Sequence, residues 1–368
     1  MKSYFNIIFI GLGLSNGLIA IRLKQHFPDL DILLIEKNLN ININKTWSFN
    51  FTDINLIKNN WIFPIIDNFW NKYIVNFKNY RRIINTEYLT ITSYKFYKFI
   101  IKYFEKKILF KYVVSILSDH SVKLNNNIIL NADIIFDGRG YKKNNNKNLC
   151  FQFFFGQEFK LNKYHNIKNP TIMDSTISQK YGYRFLYILP ISPYSFIIED
   201  TIYLNSKNLN IKINNNNIFK YIVKNKFNLN KILREEKGKI PIYLYDNFNI
   251  FIKNIKIPCS GLRAGLLNNT TGYSFKYSIF LSNKISKINK FTSYYLNKLI
   301  INISYKIWND NLFLRILNSI FFYKNVFFKK KNIIKNFYKL SDNLINNLFS
   351  CKLNLFEKIK ILNIKFKN

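Results

Sequence analysis

The sequence is short of acid, cysteine and histidine, and each shortage closes off a class of protein. Only 20 of 368 residues are Asp or Glu, against 56 Lys and Arg, which leaves a formal charge of +36. The three cysteines, Cys150, Cys259 and Cys351, are far apart and odd in number, which argues against a disulfide framework and fits a reducing compartment. The three histidines, His26, His120 and His165, form no ligand pattern, so no metal site is expected. Long apolar runs are scarce too. Phe5–Ile21 is uncharged, but Gly11, Gly13, Asn16 and Gly17 sit in its middle and no small-residue cleavage site follows. It reads neither as a signal peptide nor as a membrane span, and the chain is expected to be soluble or peripheral.

What is present is a large, ordered chain. Hydrophobic residues are 48% and aromatics 18%, enough for a sizeable core and two domains. The charge invites a nucleic-acid partner, but the lysines are scattered and their longest cluster is Lys329-Lys330-Lys331. Ile, Asn, Lys, Phe and Tyr are over-used together, as in the drift of an AT-rich genome. No nucleic-acid partner is expected. A solvated basic surface is the plain reading, and attraction to an anionic membrane surface is the functional one.

The most informative stretch is Tyr4–Lys37. Phe5–Ile10 has strand length, Gly11-Leu12-Gly13 is a turn, Leu14–His26 reads as a helix ended by Pro28, and Ile32–Ile35 is a second apolar run stopping at Glu36. This is the order of a dinucleotide-binding βαβ unit. Gly11 allows a sharp turn and Gly13 a close approach to a pyrophosphate. The N–H groups from Leu14 onward would hold that anion, and Glu36 would accept the ribose hydroxyls. Asn16 stands at the third glycine position of the general fingerprint, with Gly17 after it.

Further on, Thr92–Lys106 reads as a helix with a Thr or Ser cap. Tyr112–Leu117 and Ile128–Leu130 read as strands, and Ala132–Phe136 as a buried strand ending in Asp137-Gly138-Arg139-Gly140, at the carboxyl end where open α/β sheets bind ligands. The polar run Lys142–Lys147 suggests a boundary. From Cys150 the pattern turns to period two. Phe151–Phe159, Thr171–Met173, Tyr183–Ile191 and Ser195–Tyr203 read as antiparallel strands, followed by a helix over Phe219–Leu233. Near Ile255 the chain is expected to return to the first domain through Gly261-Leu262-Arg263-Ala264-Gly265 and Thr271-Gly272-Tyr273, then to continue in helices. The expected organisation is α/β: a Rossmann-like domain over 1–147, a β-sheet substrate domain over 148–254, and 255–368 as the return plus C-terminal helices. Two glycine turns flanking a β lobe fit an extended dinucleotide such as FAD. The first would hold the pyrophosphate, and the second would face the isoalloxazine end.

A second candidate is Ser195–Thr201. Side chains alternate along a strand, so Glu199 and Asp200 point to opposite faces. Glu199 shares its face with Ile197, Thr201 and Tyr203, where desolvation would favour the protonated form and suit a general acid. Composition alone favours the plainer reading, a carboxylate paired with one of the many lysines. Tyr183, Phe185 and Tyr187 share a face that would either stabilise a cation or pack as core.

The motifs resemble those of bacterial, flavin-dependent lycopene β-cyclases over nearly the whole chain. They include GLGLSNGLIAIRL (11–23), LLIE (33–36), KTWSF (45–49), FDGRG (136–140), GYRFLYILPISP (182–193), IIEDT (197–201), REEKGKIPI (234–242), CSGLRAG (259–265) and TTGYS (270–274). The resemblance implies a flavoprotein fold with a long hydrophobic tunnel, and a redox-neutral isomerisation of lycopene through γ-carotene to β-carotene. It implies reduced FAD that is needed but not consumed, NADPH as electron donor, Glu199 as the acid, and a place on the cytoplasmic face of the membrane. The Asn16-Gly17 pair is normal within this family. Asn268-Asn269 replaces a His-Pro pair usual in relatives, so a looser flavin loop is expected. A related FAD-dependent isoprenoid reductase or hydroxylase is the alternative.

Overall fold

In the computed structural model the chain is described over residues 3–364, apart from 39–43, 142–148, 180–181, 205–210, 245–247, 253–254, 290 and 324–326. The boundary expected at Lys142–Lys147 therefore lies outside the described residues.

The chain opens with β1 (Tyr4–Ile10), α1 (Leu14–His26) and β2 (Ile32–Glu36). β1 and β2 are apolar and buried because parallel strands are covered on both faces. Next come β3 (Thr46–Asn50), β4 (Asn68–Trp70), β5 (Tyr73–Phe77), β6 (Tyr80–Ile84) and β7 (Tyr88–Thr92). Helix α2 (Ser93–Phe104) is capped by Thr92, whose hydroxyl accepts from Lys95 N. β8 (Ile108–Phe110), β9 (Val113–Ile116), β10 (Ser121–Leu124) and β11 (Ile129–Asp137) complete this part. The first sheet runs β8-β2-β1-β11-β10-β9, parallel from β8 to β11 and antiparallel beyond.

The second sheet contains β12 (Leu149–Leu161), β13 (Thr171–Asp174), β14 (Tyr183–Ser192) and β15 (Ser195–Leu204). After α3 (Ile211–Lys224), β16 (Leu229–Tyr243) closes its edge. The helix expected over Phe219–Leu233 is thus corrected. It ends at Lys224, the chain turns at Lys226 with φ 54°, and the remainder is strand. The order is β16-β12-β15-β14-β13-β5-β6. The large sheet therefore recruits β5 and β6 from the first 147 residues, and its framework crosses the expected domain boundary. β5 adds in parallel to the otherwise uncovered edge of β13; pairing this edge removes exposed backbone donors and acceptors. β16, the opposite edge, is largely exposed and charged, which protects it against further pairing.

Beyond α4 (Phe248–Ile252) the chain returns to the first sheet, where Cys259 bridges Asp137 in parallel fashion. Helices α5 (Phe275–Ile285), α6 (Ser293–Asp310), α7 (Leu312–Tyr323), α8 (Phe327–Phe337), α9 (Asp342–Phe349) and α10 (Leu355–Asn363) follow. They decide which face of the large sheet meets what. Leu189 and Ile197 pack with Leu314, Phe337 and Phe349 of these helices. Leu186, Ile188, Phe196 and Ile198, on the other face, pack with Ile218 and Ile222 of α3.

Candidate active site

The site is built from loops at the carboxyl ends of β1 and β11. Gly11 has φ 86°, and a Cβ there would lie 3.1 Å from the Gly138 carbonyl oxygen, so the two loops touch backbone to backbone. Gly13 is the N-cap of α1, with open space where a Cβ would be. No side chain caps α1, and its first turn holds no acid. Ser15 Oγ, in that turn, is buried without a hydrogen-bond partner. Glu36 accepts from Leu12 N at 2.9 Å and Asn38 N at 3.2 Å. Gly11, Leu12, Gly13 and Glu36 line a cavity of about 460 Å³, and Ser15 lies against Gly261 of the second glycine loop. An uncapped helix start, an open glycine and an orphaned hydroxyl fit a pyrophosphate, and Glu36 beside them fits a ribose.

Asn16 has a different task. Its Nδ2 donates to Ile10 O (3.1 Å) and Gly11 O (2.8 Å), and its Oδ1 accepts from Ser260 Oγ (2.6 Å). A Cβ on Gly138 would lie 2.2 Å from Asn16 Nδ2. One amide therefore staples the first glycine turn to the second glycine loop and packs directly against the Gly138 loop. The close approach that the fingerprint assigns to its third glycine is made by Gly17, whose Cβ would lie 2.6 Å from both Phe96 and Ile100 of α2. Asp137 forms ion pairs with Arg139 (2.9 Å) and Arg263 (2.5 Å). Burial alone would raise its carboxyl, but the two guanidiniums outweigh that and hold it below the ordinary range. Asp137 and Arg263 thus meet each other and clasp the second glycine loop to the first sheet. In that loop Gly261, at φ 57°, would bring a Cβ to 3.3 Å from Ser15 Cβ; Ala264 is buried, and Gly265 and Gly272 take φ 67° and 76°.

Asn268 donates to Phe349 O at 2.9 Å and accepts from Thr270 N and Thr271 N. Asn269 receives Asn318 Nδ2 on its carbonyl at 2.7 Å. These bonds hold the turn to α7 and α9, while Asn269 Nδ2 is buried with no hydrogen-bond partner among the described residues.

Two further cavities lead into the protein. One of about 590 Å³ shares Lys45 and Gly140 with the first and is bounded by Trp47, Phe154, Glu236, Leu262 and Gly272. The next, about 170 Å³, shares Trp47, Phe154 and Gly272 and is walled by Glu199, Phe185, Tyr187, Tyr203, Thr271 and Tyr273. A fourth cavity, about 140 Å³, lies behind it. It shares Tyr203, Thr271 and Tyr338, adds Tyr183, and is lined by apolar side chains of α7 to α10.

Glu199 and Asp200 take the opposite faces that alternation requires. Asp200 is wholly buried on the α3 side, with Arg184 at 2.6 Å and Asn217 at 2.8 Å. Glu199 faces the cavity, and its Oε1 accepts from Thr201 Oγ1 at 2.6 Å. Among the described residues no lysine or arginine pairs with it, so the lysine-paired reading drops away. Desolvation, then the nearby Glu236 carboxyl, push its pKa up to about 8, against the opposing Thr201 bond. At neutral pH its protonated form is favoured. Around it the Tyr88 hydroxyl bonds those of Tyr187 (2.9 Å) and Tyr273 (2.8 Å), joining β14, β7 and the second glycine loop. The residue-by-residue reading missed Glu236, Tyr88 and Tyr338; Glu236 was visible only as part of the charged run 234–236.

A family model described as lycopene cyclase protein matches residues 6–368. The lycopene beta-cyclase of Pantoea ananas is 36% identical over 99% of this chain and 96% of its own length. That of Pseudescherichia vulneris is 32% identical over 97% and 93%. The chain belongs to the lycopene cyclase family. Solved structures similar in fold include a geranylgeranyl bacteriochlorophyll reductase-like protein from Thermoplasma acidophilum (TM-score 0.61, 12% identity, covering 98% of this chain and 96% of that one). A flavin-dependent brominase is similar at TM-score 0.62 and 12% identity, covering 99% and 98%. The cyclase chain thus has the fold of flavin-dependent enzymes, an α/β architecture with helices at its C-terminal end.

Proposed function

We propose that the protein is a lycopene β-cyclase acting as an isomerase. It would close the ψ-end groups of lycopene to β-ionone rings, through γ-carotene to β-carotene, without net oxidation or reduction. The observation that carries this reading is Glu199: a carboxyl with no cationic partner among the described residues, its pKa raised to about 8, facing an aromatic-walled cavity between the glycine loops and an apolar cavity. Glu199 donates its proton to the terminal double bond, and the nearby double bond attacks the resulting cation to close the ring. Loss of a ring proton then restores neutrality. Thr201 anchors one Glu199 oxygen and leaves the other for the proton. Phe185, Tyr187 and Tyr203 present aromatic faces to the cation. Bound FAD, kept reduced with NADPH as donor, would supply electrostatic stabilisation of that cation in a dry site.

The hydrophobic substrates also suggest where the enzyme works. No described helix is long and apolar enough to cross a membrane. Helix α10, closed by an Asn354–Glu357 capping box, exposes Leu355, Phe356 and Ile359 beside Lys358 and Lys360, while its Ile361 lines the apolar cavity. This fits peripheral attachment to an anionic membrane on its cytoplasmic face.

Expression in a lycopene-producing host tests the reaction. The parent chain should yield β-carotene, and Glu199→Gln should leave lycopene, a loss of about 10²–10⁴ in rate, with flavin content unchanged. A parent chain that leaves lycopene untouched refutes the reading. A product with altered hydrogen or oxygen content would instead mark an isoprenoid reductase or hydroxylase.

A further inference from the structure

The large sheet carries a second carboxyl opposite Glu199. Gly156 of β12 pairs with Glu199 of β15 on one side and with Glu236 of β16 on the other, and Glu199 pairs in turn with Tyr187 of β14. All these positions lie in one cross-strand row, so their side chains share one face. The residue between the two acids has no side chain. A Cβ on Gly156 would lie 3.0 Å from Glu236 Cγ, 3.3 Å from Glu236 Oε1 and 3.3 Å from Glu199 Cβ. Both acids thus lean over the same glycine, one in the wall of the 590 Å³ cavity and the other in the wall of the 170 Å³ cavity.

Their partners differ. Arg234 reaches Glu236 at 3.2 Å, and the same guanidinium holds Glu158 at 2.6 Å and Thr46 Oγ1 at 2.7 Å. Among the described residues Glu199 has only the Thr201 hydroxyl. The groups around Glu199 are otherwise uncharged: Tyr187 on β14, Tyr203 on β15, Gln152 on β12, Ser48 on β3 and Tyr273 in the second glycine loop. Asp200 is on the far face with Arg184. Lys237 and Lys239 alternate to the other face of β16, where Lys239 sits over the Phe151 ring at 3.8 Å, and with Lys45 they are the cations that border the 590 Å³ cavity beside Glu236.

We propose that Glu236 is a positioning residue for Glu199: held as a carboxylate by Arg234 across Gly156, it keeps the proton on Glu199 and returns it there after each turn. Burial raises both carboxyls, and at Glu236 the Arg234 guanidinium opposes that rise; two like charges this close in a desolvated site do not both ionise, and the proton goes to the partner without a cation. When Glu199 has given its proton to the substrate, the pair carries two negative charges. The proton released at ring closure then restores the neutral acid, so protons balance over the cycle and no external acid is consumed. This rests on the cyclase reading given above.

The test is the pH dependence of Glu199 in Glu236→Gln and Glu236→Asp, read two ways on the holoenzyme. Infrared titration of the protonated carboxyl band, assigned by its loss in Glu199→Gln, follows the proton without turnover; lycopene cyclisation follows the activity. Removal of the charge should lower the Glu199 midpoint by about one to two pH units, and the alkaline limb of cyclisation should move with it. Glu236→Asp, with its charge drawn back by one methylene, should lower it by less, and this variant carries the test if Glu236→Gln fails to fold. A midpoint unchanged in the folded variants overturns the proposal. If the Glu236 variants show the infrared shift but the parent protein does not cyclise lycopene, the substrate assignment fails and the carboxyl coupling stands.

Discussion

Replacing Asn16 by glycine, the residue of the general dinucleotide fingerprint, should damage this protein. The Asn16 amide makes three hydrogen bonds, to Ile10 O, Gly11 O and Ser260 Oγ, and the residue is 1% exposed. At about 1 kcal/mol net for each buried bond, Asn16→Gly should cost about 3 kcal/mol, with up to about 1 kcal/mol more for glycine inside a helix. Because the bonds join the first glycine turn to the second glycine loop, flavin retention should fall as well. Urea unfolding followed by tryptophan fluorescence gives the stability, and gel filtration gives the flavin-to-protein ratio. Asn16→Asp keeps the shape but turns an acceptor toward two carbonyls, so it should be at least as harmful. An Asn16→Gly variant within about 0.5 kcal/mol of the parent, with full flavin, would refute the stapling argument.

Cyclisation should be limited on the alkaline side. With the Glu199 carboxyl raised to about 8, the proton donor is present below that pH and activity falls as pH rises through it; a pH–rate profile reads the midpoint. Gly17→Ala would force a Cβ to within 2.6 Å of Phe96 and Ile100 and should cost about 1–3 kcal/mol through overpacking of α1 on α2, measured by urea unfolding. Asp137→Asn leaves Arg139 and Arg263 without their shared carboxylate and should destabilise by about 3 kcal/mol. The folded Asp137 carboxyl lies below its ordinary range. Its contribution is therefore present above the unfolded value of about 4 and lost as pH falls through the folded one, so the gap between parent and variant should narrow in acid.

Legibility followed local chemistry. The first glycine turn, the acid at Glu36 and the opposite faces of Glu199 and Asp200 depend on spacing over a few residues, and spacing is what a sequence displays. The staple at Asn16 was not legible because its partner Ser260 is 244 residues away. β16 was read partly as helix because a half-exposed, charged edge strand lacks the apolar alternation that marks a strand. The recruitment of β5 and β6 into the large sheet depends on an edge that exists only once β13 has folded. The role of Glu236 needed the register of three strands, and the missing side chain at Gly156 becomes meaningful only between two acids.

The buried pair of Arg184 and Asp200 takes no part in the chemistry, yet it determines which acid can. A slip of β15 by one residue against β14 would turn Asp200 into the cavity and drive Glu199 under α3. It would also break a two-bond contact between groups that have no access to water. Removing one partner of such a pair is far more costly than the pair is stabilising, so the misregistered sheet is strongly disfavoured. The inert carboxylate next door to Glu199 thereby acts as an indexing pin, fixing the sheet in the one setting that presents the working acid to the cavity.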